Sequence, residues 1–185
     1  EELGYAAQPI NEAEAICFSE LEDDNYTGIA LSFGAGMVNV CVMSNGEALV
    51  KFATTKSGDW LDRMVSVATA EPDSIVQQQK EDGGFIVGEA NIDPILSAYA
   101  AYYDRLITYT VQQLKSVLES STEVKKFKDP IPVVIAGGTS RAEGFVERFK
   151  VTMDKLGLPI LIREVRPAKD QLRAIARGCM IAANL

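Results

Sequence analysis

Histidine is absent from this chain, which rules out Ser-His-Asp and Cys-His chemistry and the common histidine-containing zinc sites. Any catalysis would rest on carboxylates, lysines, backbone amides or a metal held by oxygen. Cysteine is scarce: Cys17, Cys41 and Cys179 are far apart, odd in number and outside any C-x-x-C spacing, which implies a reducing compartment and buried thiols. Positive charge is also short, with 18 Lys and Arg against 26 Asp and Glu and a formal charge of −8. Nothing in that balance drives the whole chain toward nucleic acid or anionic lipid, and neither is expected as a partner. The one dense basic patch, Lys125, Lys126 and Lys128, reads as a solvated helix end or loop. No run of about eighteen apolar residues exists, so no helical membrane span is expected. The opening EELGYAAQPINEAEA lacks the basic and apolar regions of a signal peptide and begins without methionine. The expectation is a cytoplasmic protein, read here as an excised or processed piece.

What is present is the composition of a folded core: 185 residues, 47% of them hydrophobic. The chain is organised around residues 131–149, IPVVIAGGTSRAEGFVERF. A β-branched run leads directly into Gly137 and Gly138, the hydroxyls of Thr139 and Ser140, and an amphipathic helical pattern. Strand, glycine turn and helix in that order place the turn at the carboxyl edge of a sheet, where open α/β folds bind ligands. Free N–H groups at the start of the following helix would suit phosphate or ribose. A tight turn with no ligand is the plainer alternative.

The rest of the pattern predicts a lead-in over residues 1–26, with a helix from Glu12 and an acidic surface loop at Glu20 to Asp24. A domain over 27–185 follows. Strands are expected at 27–33, 37–43 and 48–54, the last two joined by Asn45-Gly46, a strong hairpin signal. A helix is expected at 58–69, then a reduced insertion at about 70–98, either irregular or a small subdomain. A long amphipathic helix at 95–118 carries Tyr99, Tyr102, Tyr103 and Tyr109, read as core wedges. Beyond the organising strand, a helix is expected from about Arg141 to Leu156 and stopped by Gly157, then a short strand at 159–162 and a last helix at 170–184.

Three antiparallel strands followed by alternating helices and parallel strands is the layout of an RNase H-like sheet, and five stretches sharpen it. They are Glu2-Leu3-Gly4-Tyr5-Ala6-Ala7; Leu31-Ser32-Phe33-Gly34-Ala35-Gly36-Met37-Val38; Ser57-Gly58-Asp59-Trp60-Leu61-Asp62-Arg63-Met64-Val65; Ala136-Gly137-Gly138-Thr139-Ser140-Arg141; and Ala174-Ile175-Ala176-Arg177-Gly178. Together, in this order and spacing, they resemble the second half of the actin, sugar kinase and heat-shock chaperone ATPase superfamily. The resemblance implies an α/β fold, an RNase H-like (actin-like) ATPase domain built on a mixed five-stranded sheet, with three antiparallel and two parallel strands flanked by helices.

It further implies a nucleotide, ATP or ADP with Mg2+, held between this domain and an N-terminal actin-like domain of the same protein. Self-assembly or a protein partner, of the chaperone-like or actin-like kind, belongs to the same expectation. Gly34, Ala35 and Gly36 would offer backbone amides to the phosphates. Gly137 and Gly138 would lie against ribose and adenine, Thr139 and Ser140 would hydrogen-bond sugar or backbone, and Arg141 would stack on the base. Two departures weaken hydrolysis. Ser32 stands where the family has the aspartate that holds the hydrated cation, and Val38 where it has a hydroxyl near the γ phosphate. No catalytic residue and no metal ligand is therefore assigned. Asp59 reads as an N-cap or first-turn acid and Asp62 as a surface acid. Lys80 and Glu81, nearest to the family's lysine and glutamate over adenine and ribose, read as a solvated loop. The readings that remain open are a nucleotide-binding half with weakened or lost hydrolysis, a degenerate scaffold or assembly module, and half of a sugar or acetate kinase.

Overall fold

The structure, a computed structural model, describes Gly4, residues 7–124 and residues 127–184. The first family-like stretch, apart from Gly4 and Ala7, lies outside the described residues, as do Lys125 and Lys126. Five strands form one sheet: β1 Gly28–Phe33, β2 Val38–Ser44, β3 Glu47–Thr54, β4 Ile131–Ala136 and β5 Ile162–Pro167. Their order is β3-β2-β1-β4-β5. The β1–β2 and β2–β3 pairs are antiparallel, and the β1–β4 and β4–β5 pairs parallel. This is the mixed sheet that the element order predicts. Asn45, with φ of 49°, and Gly46, with φ of 82°, take the left-handed backbone that the tight β2–β3 turn requires.

Both faces of β1 and β4 are covered, which is why those strands read as continuous apolar runs. On one face Leu31, Phe33, Val40, Val133 and Ile135 join α2 Gly58–Thr69, α4 Pro94–Ser120 and α5 Phe145–Leu156 in the larger core. Tyr99 and Tyr103 are buried there with Phe85 and Phe145, so these two tyrosines are core wedges. On the other face Ala30, Cys41, Val134 and Ala136 pack against α1 Glu12–Glu20 and α6 Ala174–Ala182. Asn11 caps α1, its side-chain oxygen accepting from the amides of Ala13 and Glu14. Helices α1 and α6 cross in close contact, since a Cβ on Gly178 would fall 1.7 Å from the Ala15 carbonyl. Cys17 and Cys41 are buried free thiols, and the hydrogen bond with Cys41, followed by burial, pushes the Cys17 thiol well up.

Four expectations need correction. Residues 70–98 are not wholly irregular, because α3 Asp73–Asp82 forms there. Val76 is its one buried residue, so it has no apolar stripe to betray it. The edge strand β5 runs later than 159–162. Its charged residues reach outward, Arg163 to Asp24 at 2.7 Å and Arg166 to Glu20 at 2.9 Å, and disguise the strand as a loop. Glu20 is accordingly buried rather than part of a surface loop. Helix α5 begins at Phe145, and a 3₁₀ turn, Gly138–Arg141, follows the glycine pair instead of an α-helix N-terminus. Among the described residues no helix is long and apolar enough to cross a membrane.

Candidate functional site

At the carboxyl edge of β1 and β4 the two glycine-bearing turns meet. Gly34 begins the β1–β2 turn, and its carbonyl accepts from the Thr139 hydroxyl at 2.9 Å, from the Gly58 amide at 3.2 Å and from the Ser57 hydroxyl. The Asp59 amide donates to the Ala35 carbonyl at 2.8 Å. The first amides of α2 are thus spent on the turn, which fixes the turn against both the helix and the Thr139 segment. Gly58 is required at this junction, because a Cβ there would lie 2.8 Å from Thr139 Oγ1 and 3.2 Å from Ala35 Cα.

Beside this junction opens a cavity of about 830 Å³, within the range of small-molecule sites. Gly34, Ala35, Gly138, Thr139 and Arg141 line it, so the structure brings five of the eight sequence-derived candidates together. The other three sit differently. A Cβ on Gly137, whose φ is 98°, would fall 2.3 Å from the Phe33 carbonyl, so this glycine lets the turn cross the end of β1. Ser140 is buried, and its hydroxyl returns to the Gly137 carbonyl at 2.8 Å, closing the turn. Gly36 is exposed on the β1–β2 turn. Neither Gly34 nor Gly36 has a left-handed φ, so no alternating nest forms. The Gly34 amide donates to Met37 O at 3.1 Å, whereas the amides of Ala35 and Gly36 have no acceptor among the described residues.

The far wall holds residues whose part in a site the sequence did not reveal. Lys80 on α3 reaches Asp62 on α2, with Nζ 2.5 Å from Oδ1 and 2.8 Å from Oδ2. Gln77 Nε2 donates to Asp62 Oδ2 at 3.2 Å and the Tyr99 hydroxyl to Oδ1 at 2.9 Å. Asp62 is therefore a buried anchor, not a surface acid, and Lys80 lies on a helix in the cavity wall rather than in a solvated loop. Burial, then the bond to Asp62, pushes the Tyr99 phenol far up, so Tyr99 remains a donor. Asp59, Glu81 and Glu143 add further carboxylates to the lining. Against these and Asp62 stand Lys80 and Arg141, four acids to two bases.

The two departures lie on opposite faces of the same sheet edge. Val38 is buried in the larger core, on the side of α2, α4 and α5. Ser32 is buried, and its hydroxyl donates to Glu12 Oε2 at 2.8 Å. A small β1 side chain thus leaves room for a carboxylate arriving from α1. Its sequence signal, an acid just after the cap Asn11, is shared by many helix starts.

A mixed β3-β2-β1-β4-β5 sheet flanked by helices, with turns converging at the carboxyl edge, is an RNase H-like fold of the kind found in actin-like ATPases. The chain belongs to the Volactin family, whose model matches residues 1–183. Among solved structures it is similar to the ethanolamine utilization protein EutJ from Carboxydothermus hydrogenoformans, at 20% identity and a TM-score of 0.65, over 93% of this chain and 54% of that one. It is also similar to a non-polymerising MamK mutant bound to AMPPNP, at 17% identity and a TM-score of 0.71, covering 94% and 58%. A MamK double helical filament gives 16%, 0.69, 94% and 58%. The chain thus spans little more than half the length of these proteins. No curated protein matches it.

Proposed function

We propose that this chain is the C-terminal half of an actin-like nucleotide-binding protein that holds ATP or ADP between it and an N-terminal domain, with weakened hydrolysis. The observation that carries this reading is the meeting of the Gly34 and Thr139 turns beside one cavity that also holds Lys80. In this reading the base lies on Gly138 under the Arg141 guanidinium, a planar group suited to stacking. Lys80 and Glu81 face the sugar. The amides of Ala35 and Gly36 receive the phosphates. Support comes from MamK, one structure of which carries AMPPNP and another a double helical filament; self-assembly of this protein belongs to the same proposal. Hydrolysis is weak because Val38 is held in the core and Ser32 carries no charge.

Calorimetry of the full-length protein with ATP and ADP tests the proposal, Gly138→Trp being the companion variant. Because a Cβ at Gly138 would meet nothing within 4 Å, the indole is expected to fill the cavity without straining the fold. Binding abolished in a variant that melts like the parent supports the reading; binding unchanged overturns the placement of the base. A second reading, a degenerate scaffold or assembly module that binds no nucleotide, is favoured by the excess of acids in the cavity lining. Absence of binding by the parent protein decides for it.

A further inference from the structure

Tyr102 and Tyr109 on α4 do not follow Tyr99 and Tyr103 into the core; both are only partly buried. They share one stripe of the helix with Ala98 and Arg105, at i, i+4, i+7 and i+11. A matching stripe on α2 carries Trp60, Arg63, Met64 and Val67, at i, i+3, i+4 and i+7. The two meet where Trp60 packs edge-on against Tyr102, ring centroids 5.9 Å apart. Lys56, just before α2, sets its ammonium 5.5 Å from the Trp60 ring centroid and 4.1 Å from that of Tyr109. The Arg105 guanidinium lies 4.9 Å from the centroid of Tyr102. Two cations and three rings thus interleave across the seam between the helices, held by one another rather than by acids.

Charge sets this face apart. Lys51, Lys80, Arg148, Arg163 and Arg166 each reach a carboxylate. Lys56, Arg63 and Arg105 form no ion pair among the described residues. Asp59, one turn before Arg63, lines the cavity instead. In a chain of formal charge −8, three such cations on one face make a local positive field that the molecule as a whole lacks. Apolar surface stands beside them, since Val67 is 72% exposed. Tryptophan, tyrosine and arginine carry most of the energy at protein interfaces. Here their side chains are already ordered against one another, so a partner would find little freedom left to remove.

We propose that this α2–α4 face is a docking surface for an acidic segment of another protein, one that bears an apolar side chain among its carboxylates. Lys56, Arg63 and Arg105 receive the carboxylates, and Trp60, Met64 and Val67 seat the apolar group. Charge complementarity selects this occupant. A nucleic acid offers phosphates to the same cations, but its charge continues along its length and meets the repulsion of an acidic molecule. A short acidic segment meets only the face. The proposal stands apart from the nucleotide reading, because none of these residues lines the cavity.

Fluorescence anisotropy of the full-length protein with a labelled peptide of glutamate and leucine tests it, with a glutamine-and-leucine peptide and labelled single-stranded DNA for comparison. The glutamate peptide is expected to bind about tenfold tighter than the glutamine one, and less tightly as salt rises. Arg63→Glu with Arg105→Glu, both at exposed positions, should erase that preference in a protein that melts like the parent. Trp60 is the one tryptophan among the 185 residues, and its emission, taken as parent minus Trp60→Phe, should shift as the glutamate peptide is added. Equal affinity for the two peptides, a preference kept by the double variant, or Trp60 emission unmoved at saturation overturns the proposal. So does DNA bound as tightly as the glutamate peptide, which gives the face to nucleic acid. Self-association lost in the double variant by sedimentation gives it to a second copy and overturns the proposal too. If the double variant does not fold, Arg63→Gln with Arg105→Gln provides the same comparison. Nucleotide affinity, read separately by calorimetry, is untouched by any of these outcomes.

Discussion

Thr139 donates its hydroxyl to the carbonyl of Gly34 at 2.9 Å, joining two turns that lie 105 residues apart in the chain. Thr139→Val keeps the shape and removes the donor. The Gly34 carbonyl retains Ser57 and Gly58 as donors, so the expected cost is that of one hydrogen bond, about 1 kcal/mol, read as a shift of the urea midpoint at unchanged slope. No shift would mean that the turns are held together by packing alone.

Gly58 is the tighter constraint. Gly58→Ala places a methyl 2.8 Å from Thr139 Oγ1 and 3.2 Å from Ala35 Cα, and the backbone on one side must give. Overpacking of this kind costs about 1–3 kcal/mol. The same change at Gly138, where a Cβ meets nothing within 4 Å, is expected to leave stability unaltered. Paired denaturation curves test the contrast, and equal losses at the two positions would contradict it.

Lys80 ties α3 to α2 through Asp62, whose side chain is 6% exposed. Lys80→Met leaves that carboxylate with Tyr99 and Gln77 as its donors, and the expected loss is about 3 kcal/mol, the low end for breaking a buried pair. Amide exchange in α3 should rise first, since Val76 is the helix's one buried residue. Protection in α3 equal to that of the parent would show that the helix is held by something else.

Alkaline pH should weaken the fold. Burial, and then the bond to Asp62, raises the Tyr99 phenol above its ordinary value of 10.0, and burial followed by the charge of Asp62 does the same to Tyr103. A raised folded-state value means that the native state holds its proton longer than the unfolded chain does. The stabilisation is whole below about pH 10 and is lost as pH rises above it. Melting temperatures measured across that range should fall less steeply for Tyr99→Phe than for the parent. Parallel curves would place the alkaline transition elsewhere.

The elements were legible where a residue's role follows from its near neighbours. Alternating Val38, Val40 and Val42, the Asn45-Gly46 turn and the apolar run of β4 announce themselves within a few positions. α3 escapes the sequence pattern, and β5 is expected too early, for the opposite reason. One buries a single valine, and the other spends its arginines on acids from the start of the chain.

Sequence by itself determined the order of the strands and of the helices other than α3, the positions of the glycine turns and the exclusion of histidine chemistry, because periodicity, turn preference and residue type are local properties. Tertiary structure alone decided which polar groups meet: Glu12 with Ser32, Lys80 with Asp62 and Thr139 with Gly34. Such pairs are fixed by how helices lie across a sheet. The polar atoms of a side chain carry no record of that until the apolar faces beneath them have packed.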